Sequence, residues 1–448
     1  VAFQPWTSTM SLPATPGNWY LTKNVTLSST WEPKDGTVLC LNGYSITANG
    51  DFNVIKVGRN ATFTLTDCQT SQGSVTHADN KYGRGVEVEK GTFNLYGGII
   101  TGNNGETMSN HGGVEVANGV FNMYGGKISG NMGGRYCSGG GVYVVDSSCT
   151  FNLYSGEISG NNGSSGGVEV YGTFNMSGGS ITDNKATYGG GVEVRGRTAV
   201  FTMSGGKISG NTAGGGIGGG VLVLGGTFTV SGNVNITNNT AGGKTNNVYL
   251  SMANETVIGV TGALTGGARI GVTPETWPDG NGQRAIATGA DPATGLTRYN
   301  MTSADMNCFQ SDNGEYQTSL ANNTVLLTKK GGGTSENIPV TGITLNTTTA
   351  SLEVGKTTTL TATVEPSDAT NKSVTWRSSD NSVATVAADG TVTAVKAGTA
   401  TITATAEGDN SKFATCTVTV TGGTTPSQPG GSGSSGGSGS YDSNPIIK

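Results

Sequence analysis

One short stretch recurs along the first part of the chain and restricts the possible folds more than any other feature. Each copy runs from a phenylalanine through a pair of small residues to an isoleucine and an asparagine. A fixed period of this length is typical of stacked repeats, each of which buries its apolar face only against its neighbours. The phenylalanines follow one another at intervals of 28, 30, 23, 27 and 27 residues, at Phe93, Phe121, Phe151, Phe174, Phe201 and Phe228.

Within each copy, apolar and polar residues alternate, which is the period of a β-strand and not of a helix. A second alternating segment, GVEV or a close variant, precedes the phenylalanine, and a single isoleucine follows it. Three short strands separated by glycine-rich corners predict one turn of a parallel β-helix. Like residues of successive turns then lie about 4.8 Å apart. We therefore expect phenylalanine to stack on phenylalanine, and isoleucine on isoleucine, along the core.

An asparagine ends each copy. Asparagine tolerates the left-handed backbone conformation of a sharp corner, and stacked amides hydrogen-bond along a column. We predict that these residues both turn the chain and form a ladder. They are Asn103, Asn131, Asn161, Asn184, Asn211 and Asn238.

The copies resemble the right-handed parallel β-helix repeats of pectate-lyase-like proteins. The segments GTVLCLNGYSIT (36–47) and ATFTLTDC (61–68), followed by the GG-x-IS-GN pattern, also resemble surface proteins of gut Firmicutes. The resemblance implies an all-β chain in which residues 1–330 form a right-handed parallel β-helix with capping segments at both ends. Residues 307–330 are predicted to form a closing hairpin, because the open end of such a fold exposes unpaired strands.

From residue 338 the composition changes to threonine, valine and alanine, with short strand-like segments between turn signals. This pattern predicts a small β-sandwich with Trp376 in its core. Residues 338–421 are similar to bacterial Ig-like group 2 domains, which usually act as stalks or spacers in surface proteins. Residues 331–337 and 422–448 are rich in glycine and serine and are predicted to be linkers.

The composition argues against several classes of partner and site. The formal net charge is -5, and no basic patch is present for nucleic acid or an anionic membrane surface. No apolar run is long enough to span a membrane. The six cysteines form no CxxC pair and there are two histidines, so we expect no metal site and no cofactor. Cys137 and Cys149 are the nearest pair, but the sequence leaves the disulfide pairing open.

The outward side of the phenylalanine strands carries the first candidate binding surface. Tyrosines and amides recur there in columns, which suits stacking against sugars and hydrogen bonding to them. The same residues are also what a stable exposed β-ladder prefers. The candidates are Tyr96, Tyr124, Tyr154, Asn94, Asn122 and Asn152, and Asn175 continues the amide column.

The outward side of the GVEV strands carries the second candidate surface. Carboxylates stacked at this spacing repel one another by about 1 kcal/mol in water and more near a protein surface. We favour a solvated acidic face, and the alternative is neutralisation by a cation, a basic ligand or the nearby Arg84, Lys90 and Arg195. The column contains Glu87, Glu115, Glu169 and Glu193, with Tyr143 in the equivalent place of another turn.

No catalytic constellation stands out. Lyases of this fold need clustered carboxylates that hold Ca²⁺ and a basic residue, and hydrolases need two close carboxylates. We therefore expect a non-enzymatic, secreted protein of the bacterial cell surface. Its predicted role is adhesion, through a glycan or a host surface protein, as part of a longer wall-attached chain with the Ig-like domain as spacer. A polysaccharide lyase or glycoside hydrolase, and a structural subunit of a surface layer or filament, are the alternatives.

Overall fold

A computed structural model describes most of the chain, and all of its main elements are β-strands. The chain divides into two compact units, Val1–Gly332 and Gly333–Lys448. The predicted all-β fold class, a parallel β-helix followed by a small β-sandwich, is confirmed. The predicted linker at 331–337 lies outside the described residues, as does all but the first residue of the one at 422–448. The described ranges are 2–105, 112–134, 139–251, 256–291, 296–330, 339–367 and 369–422.

The first unit is a solenoid with three columns of parallel strands. In the phenylalanine column like residues pair in register, so that Phe93 lies opposite Phe63 on one side and Phe121 on the other. The strands of this column are Gln4–Trp6, Asn18–Leu21, Thr37–Cys40, Thr62–Thr66, Thr92–Leu95, Val120–Met123, Thr150–Leu153, Thr173–Met176, Val200–Ser209, Thr227–Thr237, Ile258–Leu264 and Gln283–Thr288.

The other two columns are built from the isoleucine and GVEV segments. The isoleucine strands are Val25–Leu27, Ile46–Ala48, Ser74–His77, Ile99–Thr101, Lys127–Ser129, Glu157–Ser159, Ser180–Thr182, the second halves of Val200–Ser209 and Thr227–Thr237, and the first residues of Arg269–Pro274. The GVEV strands are Ile55–Val57, Val86–Glu89, Val114–Ala117, Val142–Val144, Val168–Val170, Val192–Val194, Val221–Val223, Val248–Leu250, Arg269–Pro274 and Phe309–Ser311.

A fourth column, which the sequence did not predict, is made of two-residue strands. It lies in the glycine-rich segments between the isoleucine and GVEV strands. We call it the covering column, and its strands are Asn162–Gly163, Lys185–Ala186, Thr212–Ala213, Thr240–Ala241 and the antiparallel Lys244–Thr245.

The C-terminal end of the solenoid is closed by a hairpin and one helical turn. The hairpin pairs Tyr316–Ala321 with Thr324–Lys329, which confirms the predicted closing element. Its second strand also pairs antiparallel with Gln283–Thr288. The helical turn, Ser303–Met306, begins at a capping box between Thr302 and Asp305. These elements cover the last parallel strands, whose edges would otherwise be unpaired.

The core contains a continuous stack of phenyl rings, as the repeat predicts. From Phe63 to Phe228, neighbouring ring centroids lie 4.7 to 5.7 Å apart, and the ring planes are within 12° of parallel. Trp31 closes the N-terminal end of the stack, edge-on to Phe63 at 5.2 Å. Offset stacking and complete burial both stabilise this arrangement.

A ladder of buried asparagines accompanies the phenyl stack. The side-chain N–H of each member donates to the side-chain oxygen of the next, for example from Asn131 to Asn161 at 2.9 Å. The prediction of Asn238 for the last repeat is wrong, because Asn239 occupies that position. The ladder consists of Asn103, Asn131, Asn161, Asn184, Asn211, Asn239 and Asn247.

The left-handed backbone expected of these asparagines lies one residue earlier. Gly102 has φ +64°, and the residues at the same place in later turns include Asp183 at +56° and Asn238 at +61°. The preceding residue makes the corner, so the ladder asparagine is free to point its amide inward. Asp183 stands where other copies have glycine because a short polar side chain tolerates this conformation.

One disulfide joins Cys40 and Cys68, whose Cα atoms are 6.2 Å apart in neighbouring turns. The sequence had left this pairing open. Cys149 is a buried free thiol. Its Sγ accepts a hydrogen bond from the backbone N–H of Asn118 at 3.0 Å. Cys137, its predicted neighbour, lies outside the described residues.

The second unit is a β-sandwich. The half-buried ring of Trp376 packs against both of its apolar clusters, which include Ile402 in one and Ala404 in the other, as predicted for a core anchor. Its strands are Gly342–Leu345, Thr349–Glu353, Thr357–Thr359, Ala362–Glu365, Val374–Ser378, Ala384–Val386, Thr391–Ala394, Gly398–Ala406 and Phe413–Thr421.

Candidate functional site

Three tyrosines predicted as ligand contacts form an exposed ladder on the outward side of the phenylalanine column. Tyr96, Tyr124 and Tyr154 are 53%, 37% and 44% exposed. Their ring centroids lie 4.6 and 4.8 Å apart, with planes within 17° of parallel. Each tyrosine directly follows a phenylalanine-column strand of the same register, which brings the three rings together.

The ring stacking restricts how a ligand can use these side chains. Both faces of Tyr124 are occupied by the rings of Tyr96 and Tyr154, so this ring offers a ligand its edge and not its faces. Its edge and hydroxyl remain exposed. Burial raises the pKa of Tyr124, and Tyr154 and Tyr96 add to that effect. The hydroxyl is therefore a neutral donor and acceptor at physiological pH.

Beside the tyrosines, the predicted amide column is confirmed as a second ladder. Asn122 donates to Asn94 at 2.9 Å, Asn152 to Asn122 at 2.8 Å, and Asn175 to Asn152 at 2.9 Å. All four side chains are half-buried. An amide has two N–H groups and an oxygen with two lone pairs, so each member keeps hydrogen-bonding capacity beyond the ladder.

The amide column continues into a groove that sequence reasoning missed. Thr202 and Thr229 follow Asn175 in register, and their hydroxyls are 3.3 Å apart. They line a groove of about 410 Å³ whose other wall includes an ion pair between Arg298 and Asp291. Extending the amide column by register predicts both threonines. The ion pair of Arg298 and Asp291 could not be predicted in this way, because it lies in a segment outside the repeats. We call the three tyrosines, the four asparagines and these two threonines the polar strip.

The glutamate column is not a solvated face. Glu115, Glu169 and Glu193 are 7%, 0% and 1% exposed, which contradicts the favoured prediction. The glycine-rich segment between the covering column and the GVEV strand explains the burial of Glu193, because a Cβ built on Gly189 would lie 2.6 Å from the Cβ of Glu193. The hydroxyl of Ser165 also donates to the Glu193 carboxylate. Strand alternation predicts the direction of these side chains but not the layer of chain above them.

Arginines neutralise part of this column, as one alternative predicted. Arg84 Nε is 2.8 Å from a Glu115 oxygen, and Arg195 is 2.9 Å from a Glu193 oxygen. Lys90 lies instead near Glu89, where its charge helps to lower the pKa of that carboxyl after the larger effect of Lys56.

The remaining members of the column are half-buried. Glu87 accepts a hydrogen bond from the Asn53 amide at 2.7 Å. Tyr143 packs edge-on against Tyr171, with ring centroids 6.0 Å apart. The whole column is therefore occupied by contacts within the protein and forms no continuous ligand surface.

Glu169 is the most perturbed member of the column. Burial, together with the charge of Glu193 on the adjacent strand, raises the pKa of Glu169 to about 8. Arg195 and Tyr171 act in the opposite direction. Neither reaches a carboxylate oxygen with ordinary hydrogen-bond geometry, and both oxygens are buried. Glu169 is consequently neutral at pH 7 and inaccessible to a ligand.

Among the residues that the structure describes, no three His, Cys, Asp or Glu side chains are grouped so as to hold a metal ion. The predicted site residues thus separate into two groups. The tyrosines and asparagines share one accessible face, and most of the glutamates are enclosed.

Comparison with known proteins identifies the second unit. Residues 339–420 match the family model of the bacterial Ig-like domain (group 2). The second unit is a group 2 bacterial Ig-like domain. This match confirms the resemblance that the sequence of this region predicted.

Curated relatives share short segments with this chain. An α-L-arabinofuranosidase of Bifidobacterium longum subsp. longum is 79% identical over 48 residues, which are 11% of this chain and 4% of that enzyme. A lacto-N-biosidase of Bifidobacterium bifidum is 48% identical over 89 residues, 18% of this chain and 8% of the enzyme. An uncharacterised protein of Clostridium acetobutylicum is 34% identical over 152 residues, 32% of this chain and 38% of that protein. The chain therefore spans only small parts of these relatives.

Proposed function

We propose that this protein is an extracellular glycan-binding protein of the bacterial cell surface, displayed on its Ig-like domain. The polar strip is the observation that carries this proposal. It presents tyrosine hydroxyls and amide groups in straight columns on an exposed face, at the turn spacing of about 4.8 Å. Groups of this kind bind the hydroxyls of sugars through hydrogen bonds.

The repetition of the strip favours weak contacts that act together. A single hydrogen bond contributes about 0.5–1.5 kcal/mol, so one tyrosine or one asparagine binds little by itself. Several identical contacts on one rigid face raise the overall affinity because the later contacts form within an already bound complex. This property suits an adhesin that meets a polymer or a dense glycan layer.

Two further findings support the location and the ligand class. Group 2 Ig-like domains are typical of surface proteins. As a separate observation, none of the helices that the structure describes is long and apolar enough to cross a membrane. The names of two relatives refer to arabinofuranosides and to lacto-N-biose. Glycans that contain these units are therefore the first probes.

The test is a glycan array that includes those glycans, followed by calorimetry on any hit. The double variant Tyr124→Phe and Tyr154→Phe keeps both rings and removes both hydroxyls. We expect it to bind about tenfold more weakly, because two hydrogen bonds are lost. Tyr188→Phe is the matched control, since Tyr188 is 40% exposed and lies outside the strip. Unchanged binding by the double variant contradicts the proposal.

The rival functions have separate readouts. A lyase or hydrolase of the predicted kind would use accessible carboxylates, and three of the four glutamates are buried instead. Release of reducing ends from the same glycans would nevertheless overturn the non-enzymatic proposal. A structural subunit would form filaments or sheets at moderate protein concentration, which size-exclusion chromatography and electron microscopy detect.

A further inference from the structure

The covering column ends before the column that it covers. Its last parallel strand is Thr240–Ala241, after which the chain turns back through Lys244–Thr245. Tyr249 and Thr273 continue the outward positions of the glutamate column beyond this point. They line an open cleft of about 750 Å³. The layer that buries Glu193 is thus replaced by a cavity near the C-terminal end.

One wall of the cleft is aromatic. Tyr249 and Trp277 both line it, and both side chains are half-buried. The Trp277 ring packs against Tyr316 of the closing hairpin, with centroids 4.6 Å apart and an angle of 36°. This contact holds the indole in place, so the aromatic wall exists before any ligand arrives.

Glycine-rich turns also line the cleft. Gly216 and Gly243 have φ of +87° and +77°, where a side chain is disfavoured. A Cβ at either position would meet nothing within 4 Å, so the space in front of these glycines is open. The turns therefore border the cleft without filling it.

Lys244 and Glu275, two exposed side chains of opposite charge, also line the cleft. The hydroxyl of Ser251 donates to a Glu275 oxygen at 3.0 Å, which orients the carboxylate. Burial raises the pKa of Tyr249, and the charge of Glu275 adds to this effect. The Tyr249 hydroxyl is therefore a neutral donor near a carboxylate acceptor.

Asp312 also lines the cleft but already has its partners. It accepts hydrogen bonds from the backbone and side chain of Asn247, both at 2.6 Å, and from the Thr273 hydroxyl at 2.7 Å. These contacts fix it as the end of the asparagine ladder. The other chemically useful side chains that line the cleft are Tyr249, Trp277, Lys244 and Glu275.

We propose that this cleft binds a single neutral sugar ring. Aromatic side chains accept the apolar face of such a ring, while a carboxylate and an ammonium bind its hydroxyls. The opposite charges of Lys244 and Glu275 favour an uncharged ligand over an acidic or basic one. The volume is within the range of small-molecule sites. This site is on a different column from the polar strip, so it does not depend on the function proposed for the strip.

Saturation-transfer NMR with the full chain tests this proposal. The probes are the methyl glycosides of glucose, galactose, mannose, xylose, arabinose and N-acetylglucosamine. We expect at least one of them to receive saturation, with a Kd that rises about tenfold in Glu275→Gln and in Tyr249→Phe. Both changes keep the size of the side chain, and circular dichroism checks that the variants fold.

Two controls separate the cleft from the rest of the surface. Glu32→Gln changes an exposed carboxylate at the other end of the solenoid, and Tyr124→Phe changes the polar strip; both should leave the glycoside Kd unchanged. The proposal is overturned if none of the glycosides binds, or if Glu275→Gln binds as tightly as the wild type. Loss of array binding in the strip variants has no bearing on this result, so the two proposals fail independently.

Discussion

The side-chain amide of Asn247 donates to a carboxylate oxygen of Asp312 at 2.6 Å, and this contact ends the buried asparagine ladder. Earlier members donate to another amide, as Asn211 does to Asn239 at 2.9 Å. The carboxyl oxygens of Asp312 accept the hydrogen bonds from Asn247, so they satisfy the last donor of the ladder. At the other end, the oxygen of Asn103 is 2.8 Å from Nδ1 of His77. Different side chains therefore close the two ends of the ladder.

Replacing Asp312 by alanine removes the acceptor for two N–H groups of Asn247, a residue that is 4% exposed. We expect the free energy of unfolding of the solenoid to fall by about 3 kcal/mol, since each unpaired buried donor costs about 1–3 kcal/mol. Urea unfolding followed by circular dichroism measures the change. Asp312→Asn retains an oxygen acceptor and should lose less. Equal stability of Asp312→Ala and wild type would show that water replaces the carboxylate at this end.

The two asparagine ladders offer a matched comparison of fully buried and half-buried amides. Asn161 is fully buried and donates to the Ile128 carbonyl and to Asn184, both at 2.9 Å. Asn161→Ala should lower the free energy of unfolding by about 3 kcal/mol or more, because its partners are left unpaired away from water. Asn152→Ala changes the half-buried ladder of the polar strip, where water can replace the lost bond, and should cost less than about 1 kcal/mol. Similar losses in the two variants would contradict this explanation.

The raised pKa of Glu169 predicts a stability that depends on pH. The folded protein holds this proton up to about pH 8, whereas the ordinary pKa is 4.5. Between these values unfolding releases the proton, so the contribution of Glu169 is present in full at low pH and falls as the pH rises. The slope is about 1.4 kcal/mol per pH unit. Glu169→Gln, which stays neutral, should match the wild type near pH 5 and unfold at higher temperature at pH 8.

Thermal unfolding at several pH values between 5 and 9 measures this difference. Glu32→Gln is the control, because Glu32 is exposed and its replacement should give the same pH dependence as the wild type. A Glu169→Gln curve parallel to that of the wild type would mean that the carboxyl is not protonated in the folded protein.

Close approach of neighbouring turns makes Gly191 sensitive to substitution. A Cβ there would lie 2.5 Å from the carbonyl oxygen of Gly220 in the next turn. Gly191→Ala should destabilise the solenoid by about 1–3 kcal/mol, since the clash involves backbone that cannot move alone. Gly58→Ala is the control: nothing lies within 4 Å of its Cβ position, so it should be neutral or slightly stabilising. Urea unfolding measures the stability of both variants, and equal losses of stability would contradict the steric explanation.

Much of the fold was predictable because every copy of the repeat predicts the same contacts with the next copy. A residue such as Phe151 has its counterpart at the same place in the next copy, and a strand in register must then place Phe174 beside it. The closing hairpin and the Ig-like domain were also predicted, since each has local strand and turn signals. The position of Asn239 was not, because the last copy contains consecutive asparagines and only the register selects between them.

The candidate surfaces were predicted less well. Alternation along a strand predicts that Glu169 and Tyr124 both point away from the core, and the structure confirms this direction. It does not indicate that Glu169 is fully buried or that both faces of Tyr124 are covered by neighbouring rings. The cleft lined by Tyr249 and Trp277 was not predicted, since it brings together segments that are distant in sequence.

The amino-acid sequence by itself determined the parallel stacking of the first unit, its phenylalanine core and the presence of the Ig-like domain. The physical reason is that hydrophobic alternation, and identical residues recurring at similar intervals, can be read from the sequence itself and favour stacking in register. Tertiary structure alone decided which outward side chains meet solvent. Accessibility depends on the other segments that pass over a strand, and those segments are set by the path of the chain through its glycine-rich turns.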